Sequence, residues 1–250
     1  RTGKDGPGIF TLQTLVEGAD FNMDVRPRLV WAQVWELMAD YFAQNACHEN
    51  AMVSVFAIDS LKQLSFKFLD KPELAEFNFQ RLFLNPFLVV MESKRSRDDV
   101  RELVLRCIDN MIRTKSHNLR SGWKVVFSIL TVSANDSNEK IEFLGIAILQ
   151  RLLDEHLDEV CSISKTSTTN EATRNVLNGD DFVNLCKTSL AFVQTENSQS
   201  PRPLGLSMRA LCHSAIYADL LAAGRIALPE IGSLVSLLIM LHTCTFTDLC

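Results

Sequence analysis

The chain has 250 residues, 47% of them hydrophobic and 22% charged, which supports a sizeable core and excludes a disordered or collagen-like chain. Ten Gly and seven Pro are few for a fold of many short strands and tight turns, so long helices are the economical reading. With 25 basic against 30 acidic residues the net charge is -5, which argues against nucleic acid as a partner and confines any basic surface to one region.

The sequence opens on Arg1 without a charged-then-apolar leader and reads as a piece of a longer polypeptide, with no secretory signal in view. Residues 1–9, with Gly3, Gly6 and Gly8, are expected to be a disordered start; the Gly-Lys-Ser/Thr ending of a phosphate-binding loop is absent. Over 10–160 apolar residues recur at helical spacing. Trp31 and Trp35, one turn apart and continued by Met38 and Phe42, mark a core stripe. Further stripes follow at Val55, Phe56, Leu61, Leu64 and Phe68, at Val100, Leu103, Val104, Cys107, Ile108, Met111 and Ile112, at Trp123, Val126, Phe127 and Leu130, and at Leu144, Ala147, Ile148 and Leu152.

Polar or Pro-containing breaks at 70–72, 93–96, 115–117 and 133–138 separate these stripes, and connections so short make successive helices antiparallel neighbours. The sequon Asn135-Asp136-Ser137 reads as a polar helix connection rather than a glycosylation site. Helices of roughly 12 to 20 residues, one about every 25, predict an all-α fold of antiparallel pairs stacked as a HEAT/armadillo-like solenoid of about 40 to 47 residues per pair. A compact bundle is the alternative. Residues 161–179 are expected to be a Ser/Thr-rich loop and 180–250 further helices of the same solenoid, interrupted by a second polar loop at 194–203. The uncharged stretch 231–247 reads as a buried helix rather than a membrane span.

No catalytic, cofactor-binding or metal-ligating constellation is visible, and no cofactor is expected. The seven Cys include no CxxC pair and read as small buried hydrophobes, and the five His are scattered. Charge is more informative: residues 94–124 hold nine basic against four acidic side chains, within an otherwise acidic chain. Asp98 with Arg101 and Glu102 with Arg106 have the spacing of intrahelical ion pairs. Arg97, Arg101, Arg113 and Lys115 flank an apolar stripe and are the candidate docking face, for anionic lipid or an acidic protein surface.

Asp59 and Ser60 lie in an otherwise apolar helix, where a buried carboxylate needs donors. Arg120 or Trp123 could supply them, giving an inter-helix polar clamp whose loss would cost on the order of 3 kcal/mol. Gly122 either lets a neighbouring helix approach closely or starts its own helix.

Several ordered blocks also resemble a known family. Leu29-Val30-Trp31-Ala32-Gln33-Val34-Trp35-Glu36 is the first, followed by the run from Phe56-Ala57-Ile58-Asp59-Ser60-Leu61 to Phe68-Leu69 and by Glu73-Leu74-Ala75-Glu76-Phe77-Asn78-Phe79-Gln80. Phe83-Leu84-Asn85-Pro86-Phe87, Arg106-Cys107-Ile108 and Asn118-Leu119-Arg120-Ser121-Gly122-Trp123-Lys124 continue the series. Together, over about residues 10–160, they resemble the first homology region downstream of the exchange domain in the large Arf guanine-nucleotide exchange factors of the Golgi, the brefeldin-inhibited type of the Sec-seven family. The resemblance implies a helical-repeat regulatory region without the exchange domain and without catalytic activity of its own. Autoinhibition, membrane recruitment and sensing of Arf-GTP would be its tasks. Its implied partners are an Arf-type small GTPase, upstream domains of the same polypeptide and an anionic membrane surface, at a cytoplasmic, peripheral Golgi location. A generic helical-repeat scaffold for another trafficking partner is the alternative.

Overall fold

The computed structural model describes residues 9–73 and 77–155, together with 184, 185, 187, 188, 191 and 192. These residues form α1 (Ile9–Val25), α2 (Arg28–Ala46), α3 (Ala51–Leu69), α4 (Phe79–Glu92), α5 (Asp98–Lys115), α6 (Gly122–Ala134) and α7 (Glu139–Glu155), with a 3-10 turn at Ser116–Asn118. No β-strand occurs among the described residues, in keeping with the all-α expectation. None of their helices is long and apolar enough to cross a membrane. The expected loops at 161–179 and 194–203, the apolar stretch 231–247 and residues 1–8 lie outside the described residues, whereas Ile9 already belongs to α1.

Local chemistry sets the helix ends. Asn50 caps α3, its side-chain oxygen accepting the Met52 N–H at 2.9 Å. Asp98 and Asp99 open α5 while Arg113 and Lys115 close it, each sign at the helix end whose dipole it stabilises. At the start of α7 the Asn138 side chain accepts the Lys140 N–H at 3.0 Å, and 135–138 form the polar connection expected of the sequon segment.

Two compact units divide the chain, Arg1–Ile129 and Leu130–Cys250. In the first, α1, α2 and α3 each pack on the next helix and on the next but one, and α4 packs on α5. Polar contacts fix the directions. Lys67 near the end of α3 holds Asp20 and Asp24 near the end of α1, at 2.7 and 2.6 Å. Lys115 at the end of α5 pairs with Asp70 just past α3, and Arg97 before α5 donates to the Glu49 carbonyl and to Ser54 Oγ at the start of α3, at 2.9 and 3.2 Å. The odd helices therefore run parallel in one layer, and the short connections make α2 and α4 run against them in the other. These partners are 43 to 48 residues apart in sequence, the length of one helical pair. The packing of this unit is that of an all-α helical-repeat solenoid.

Its core is aromatic where the layers meet. Trp31, Trp35 and Phe42 are buried as the stripe predicts. Trp35 lies nearly parallel to Phe83 at 3.8 Å between ring centroids, Phe83 stacks on Phe68 at 4.3 Å, and Phe68 on Phe79 at 4.6 Å. The stripe expected in α3 is rotated at its first turns. Val55 is exposed and Phe56 half-buried, while Val53, Ala57 and Ile58 join Leu61, Leu64 and Phe68 in the core. Stepping back from Leu61 by three and four residues reaches Ile58 and Ala57, which a larger Phe56 had masked in the pattern.

In the second unit the last turn of α6 meets α7 closely. A Cβ on Gly145 would stand 2.2 Å from Ser133 Oγ and 2.9 Å from Phe192 Cζ, so only glycine lets these helices approach this near. The Thr131 and Thr188 hydroxyls share a hydrogen bond at 2.9 Å. Residues 184, 185, 187, 188, 191 and 192 are helical, with Leu185 and Phe192 buried.

Candidate functional site

The most elaborate polar arrangement of the first unit lies where α4 begins and the turn before α6 passes it. Gln80, in the first turn of α4, has none of its surface exposed. Its Nε2 donates to the Asn118 carbonyl at 2.8 Å, and its Oε1 accepts the backbone N–H groups of Arg120 at 2.7 Å and Gly122 at 3.3 Å. Glu73 works beside it. Its carboxylate accepts the Gln80 N–H and the Ser121 N–H, both at 3.0 Å, and the Ser121 hydroxyl. Two side chains thus satisfy backbone donors that the turn and the start of α6 would otherwise leave orphaned.

Gly122 serves both expected purposes. It is the first residue of α6, and a Cβ there would lie 3.0 Å from both Leu119 Cδ2 and Leu84 Cδ1 and 3.1 Å from Gln80 Oε1. Trp123, next to it, is buried and stacks on Phe127 at 5.8 Å. Arg120 folds back on the turn, donating to the carbonyls of His117 and Leu119, each at 3.1 Å. Burial lowers its pKa, and the nearby Glu73 charge opposes that shift.

The clamp expected between Asp59 and Arg120 or Trp123 is not formed. Asp59 is exposed and accepts a 2.7 Å hydrogen bond from Gln63 one turn along α3. Ser60 is buried but bonds back to the Phe56 carbonyl at 2.7 Å. Position 59 falls on the outward side of the stripe once Ala57, Ile58 and Leu61 take the inward one, so its carboxylate never needs a buried donor. The inter-helix polar clamp belongs instead to Glu73 and Gln80. The sequence carries no signal that singles it out: in Phe77-Asn78-Phe79-Gln80 each Phe is followed by an amide, and Gln80 is buried while Asn78 is exposed.

A second polar link explains Trp35. Pro86 stands inside α4 and has no N–H, so the Leu82 carbonyl four residues back lacks its helical donor. The Trp35 indole N–H fills that position at 3.2 Å. The indole N–H of Trp31, also buried, has no acceptor among the described residues.

The four residues of the expected docking face do not form one open cationic surface. Arg97 is spent on Asp99 and on the α2–α3 turn; Arg101 pairs with Asp98 at 2.7 Å and donates to the Ser96 carbonyl; Lys115 is held by Asp70. Arg113 is exposed. The intrahelical pairs Asp98 with Arg101 and Glu102 with Arg106 are present as their spacing predicted. Long side chains between stacked helices find carboxylates and carbonyls of the preceding repeat, which a one-dimensional charge count does not register.

Among the described residues no three His, Cys, Asp or Glu gather to hold a metal ion. Cys107 is buried and its thiol is pushed up to about 12 by that burial, far from a reactive thiolate. Cys47 is half-buried, and the remaining cysteines lie outside the described residues.

Stacked helical pairs locked by buried polar junctions define a helical-repeat module. Residues 67–151, from the end of α3 into α7, match the family model described as Sec7-like HDS, Mon2/Sec7/BIG1-like. Brefeldin A-inhibited guanine nucleotide-exchange protein 2 of Arabidopsis thaliana is 36% identical over 198 residues, 74% of this chain and 11% of the relative. The ADP-ribosylation factor guanine nucleotide-exchange factor sec71 of Schizosaccharomyces pombe is 42% identical over 151 residues, 60% of this chain and 8% of the relative. Brefeldin A-inhibited guanine nucleotide-exchange protein 1 of Rattus norvegicus is 46% identical over 135 residues, 54% of this chain and 7% of the relative. The chain belongs to the Sec7-like family of large Arf guanine-nucleotide exchange factors, with its matched segment in the HDS region. It spans 7 to 11% of the length of these curated relatives.

Proposed function

We propose that the chain is a noncatalytic regulatory region of a large Arf exchange factor, which controls autoinhibition, membrane recruitment and Arf-GTP sensing in Golgi vesicle trafficking. The observation that carries this reading is the HDS match over residues 67–151, together with relatives named as exchange proteins of which the chain spans only a small part. The physical reading agrees with it. A repeat of stacked helical pairs offers extended surfaces to partners. Its partners are an Arf-type GTPase, upstream domains of the same polypeptide and the anionic membrane surface of the Golgi, which it meets from the cytoplasm as a peripheral protein.

The test is retention of the purified chain on an immobilised Arf-type GTPase. Retention on the GTP-loaded form and not on the GDP-loaded form supports the reading; equal or absent retention assigns the chain to a scaffold with another partner. Recruitment to anionic vesicles is tested with Arg113→Glu, because reversing Arg97, Arg101 or Lys115 would break internal ion pairs.

A further inference from the structure

The first helical pair differs from those that follow it. α3 buries ten of its 19 residues, being packed on both sides, whereas α1 buries three of 17, namely Leu12, Ala19 and Met23. The uncovered side of α1 is nonetheless apolar. Phe10 is 80% exposed and Phe21 66% exposed, and with Thr14, Gly18 and Val25 they form a stripe at helical spacing that points away from the core. α2 carries a matching stripe. Besides Trp31, Trp35 and Phe42 in the core, it places Val30, Val34, Leu37 and Tyr41 one to two turns apart on a different face, with Leu37 79% exposed. Between the two helices runs an open groove of about 860 Å³, lined among others by Phe10, Thr14, Gly18, Leu37, Met38 and Tyr41. A Cβ on Gly18 would meet nothing within 4 Å, so the floor of the groove is open.

A repeat face that meets solvent is polar, and this one is apolar. By helical spacing exposed carboxylates flank the two stripes, Glu17 on α1 and Glu36 and Asp40 on α2, and no Lys or Arg lines the groove among the described residues. We infer that the α1–α2 groove is a docking surface for an amphipathic helix with an apolar stripe flanked by Lys or Arg, which stacks on it as the next layer of the repeat. The geometry is that of α3 on α1 and α4 on α2, repeated on the opposite side. The glycine lets the incoming helix approach closely. These carboxylates select basic flanks and oppose an anionic lipid surface, whose charge they would repel. The inference rests on the fold and the groove, not on the Arf reading, and either can fail without the other.

The experiment uses the full chain and three probes: a dye-labelled designed helix with a Leu stripe flanked by Lys, the same helix flanked by Glu, and phosphatidylserine vesicles. Binding is read by anisotropy or flotation, and self-association by sedimentation. The Lys-flanked helix is expected to bind at least about tenfold more tightly than the Glu-flanked one. Leu37→Glu, at an exposed position, should weaken that binding by on the order of tenfold or more with circular dichroism unchanged. Gly18→Leu should raise or preserve the melting midpoint, since a helical Gly is replaced by a better helix former, yet block the groove and abolish binding. Equal binding of both helices, or binding unchanged by Gly18→Leu and Leu37→Glu, overturns the proposal. So does Leu37-dependent self-association or vesicle binding, which would make a second copy or lipid the occupant.

Discussion

Replacing Gln80 by Leu keeps the size of the side chain and deletes every polar contact at the α4–α6 junction that this residue makes. The fully buried amide satisfies one carbonyl and two backbone N–H groups, those of Asn118, Arg120 and Gly122. Gly122 is buried, and Asn118 and Arg120 are half-buried, so water can partly repair two of the three losses and not the third. An unsatisfied buried backbone group costs about 1 to 3 kcal/mol, and a partly accessible one about half as much. The added apolar burial of Leu offsets on the order of 1 kcal/mol. The net expectation is a destabilisation of about 2 to 3 kcal/mol, large for a single substitution. Urea denaturation of the full chain, followed by circular dichroism at several wavelengths, measures it. Glu73→Gln, which weakens the neighbouring support of the same turn, should be non-additive with Gln80→Leu by at least about 0.5 kcal/mol, because both hold residues 120–122. A loss below about 0.5 kcal/mol for Gln80→Leu would show that the turn holds itself, and would refute the reasoning.

Trp35→Phe should cost about 1 to 3 kcal/mol, chiefly by orphaning the Leu82 carbonyl, and less in a Pro86→Ala background, where an N–H from position 86 can reach that carbonyl; equal costs in both backgrounds would refute the link. Asp59→Ala should change stability by no more than about 0.5 kcal/mol, since Asp59 is exposed and bonded only within its own helix; a loss near 3 kcal/mol in the same urea assay would restore the buried clamp. Lys67 and Lys71 hold the Asp24 carboxyl down from 3.8 to about 2. A depressed folded-state pKa contributes stability that is present above the unfolded value and lost as pH falls through the folded one. The gap in melting midpoint between wild type and Asp24→Asn should therefore be open at pH 5 and close toward pH 2, and a gap independent of pH would contradict the pairing. In native protein the Cys107 peptide should resist alkylation at pH 8 until denaturant is added, as mass spectrometry of the labelled peptides will show.

The contrast between Asp59 and Gln80 shows where sequence reasoning stops. Both are polar residues in apolar blocks, and the linear pattern gives each the same claim to a buried role. Which one is inside depends on a rotation of about 100° per residue along the helix, and a phase error of one residue carries a side chain from core to solvent. In α3 that one-residue phase puts Val55 and Phe56 off the inner face and Ala57 and Ile58 on it. The docking face shows the same limit for charge. Arg97 and Lys115 are basic in any count, but their partners sit 43 to 48 residues earlier in the chain, on the preceding helical pair.

Periodicity, low Gly and Pro content and short polar breaks were enough to determine an all-α chain of stacked helical pairs, because burying an amphipathic stripe is a local demand that each helix carries in its own residues. The same local logic predicted the Trp31 and Trp35 core, the α5 ion pairs and the breaks between helices. Tertiary structure alone decided the rest. The repeat of 43 to 48 residues exists as pairings such as Asp20 with Lys67 and Asp70 with Lys115, not as identical letters. The Leu82 carbonyl has to find Trp35 only because Pro86 cannot serve it, and the turn at 118–122 is held by a Gln and a Glu 38 to 48 residues away. Hydrogen bonds and ion pairs are short-ranged and directional, so their partners are fixed only when packing has brought distant helices into register.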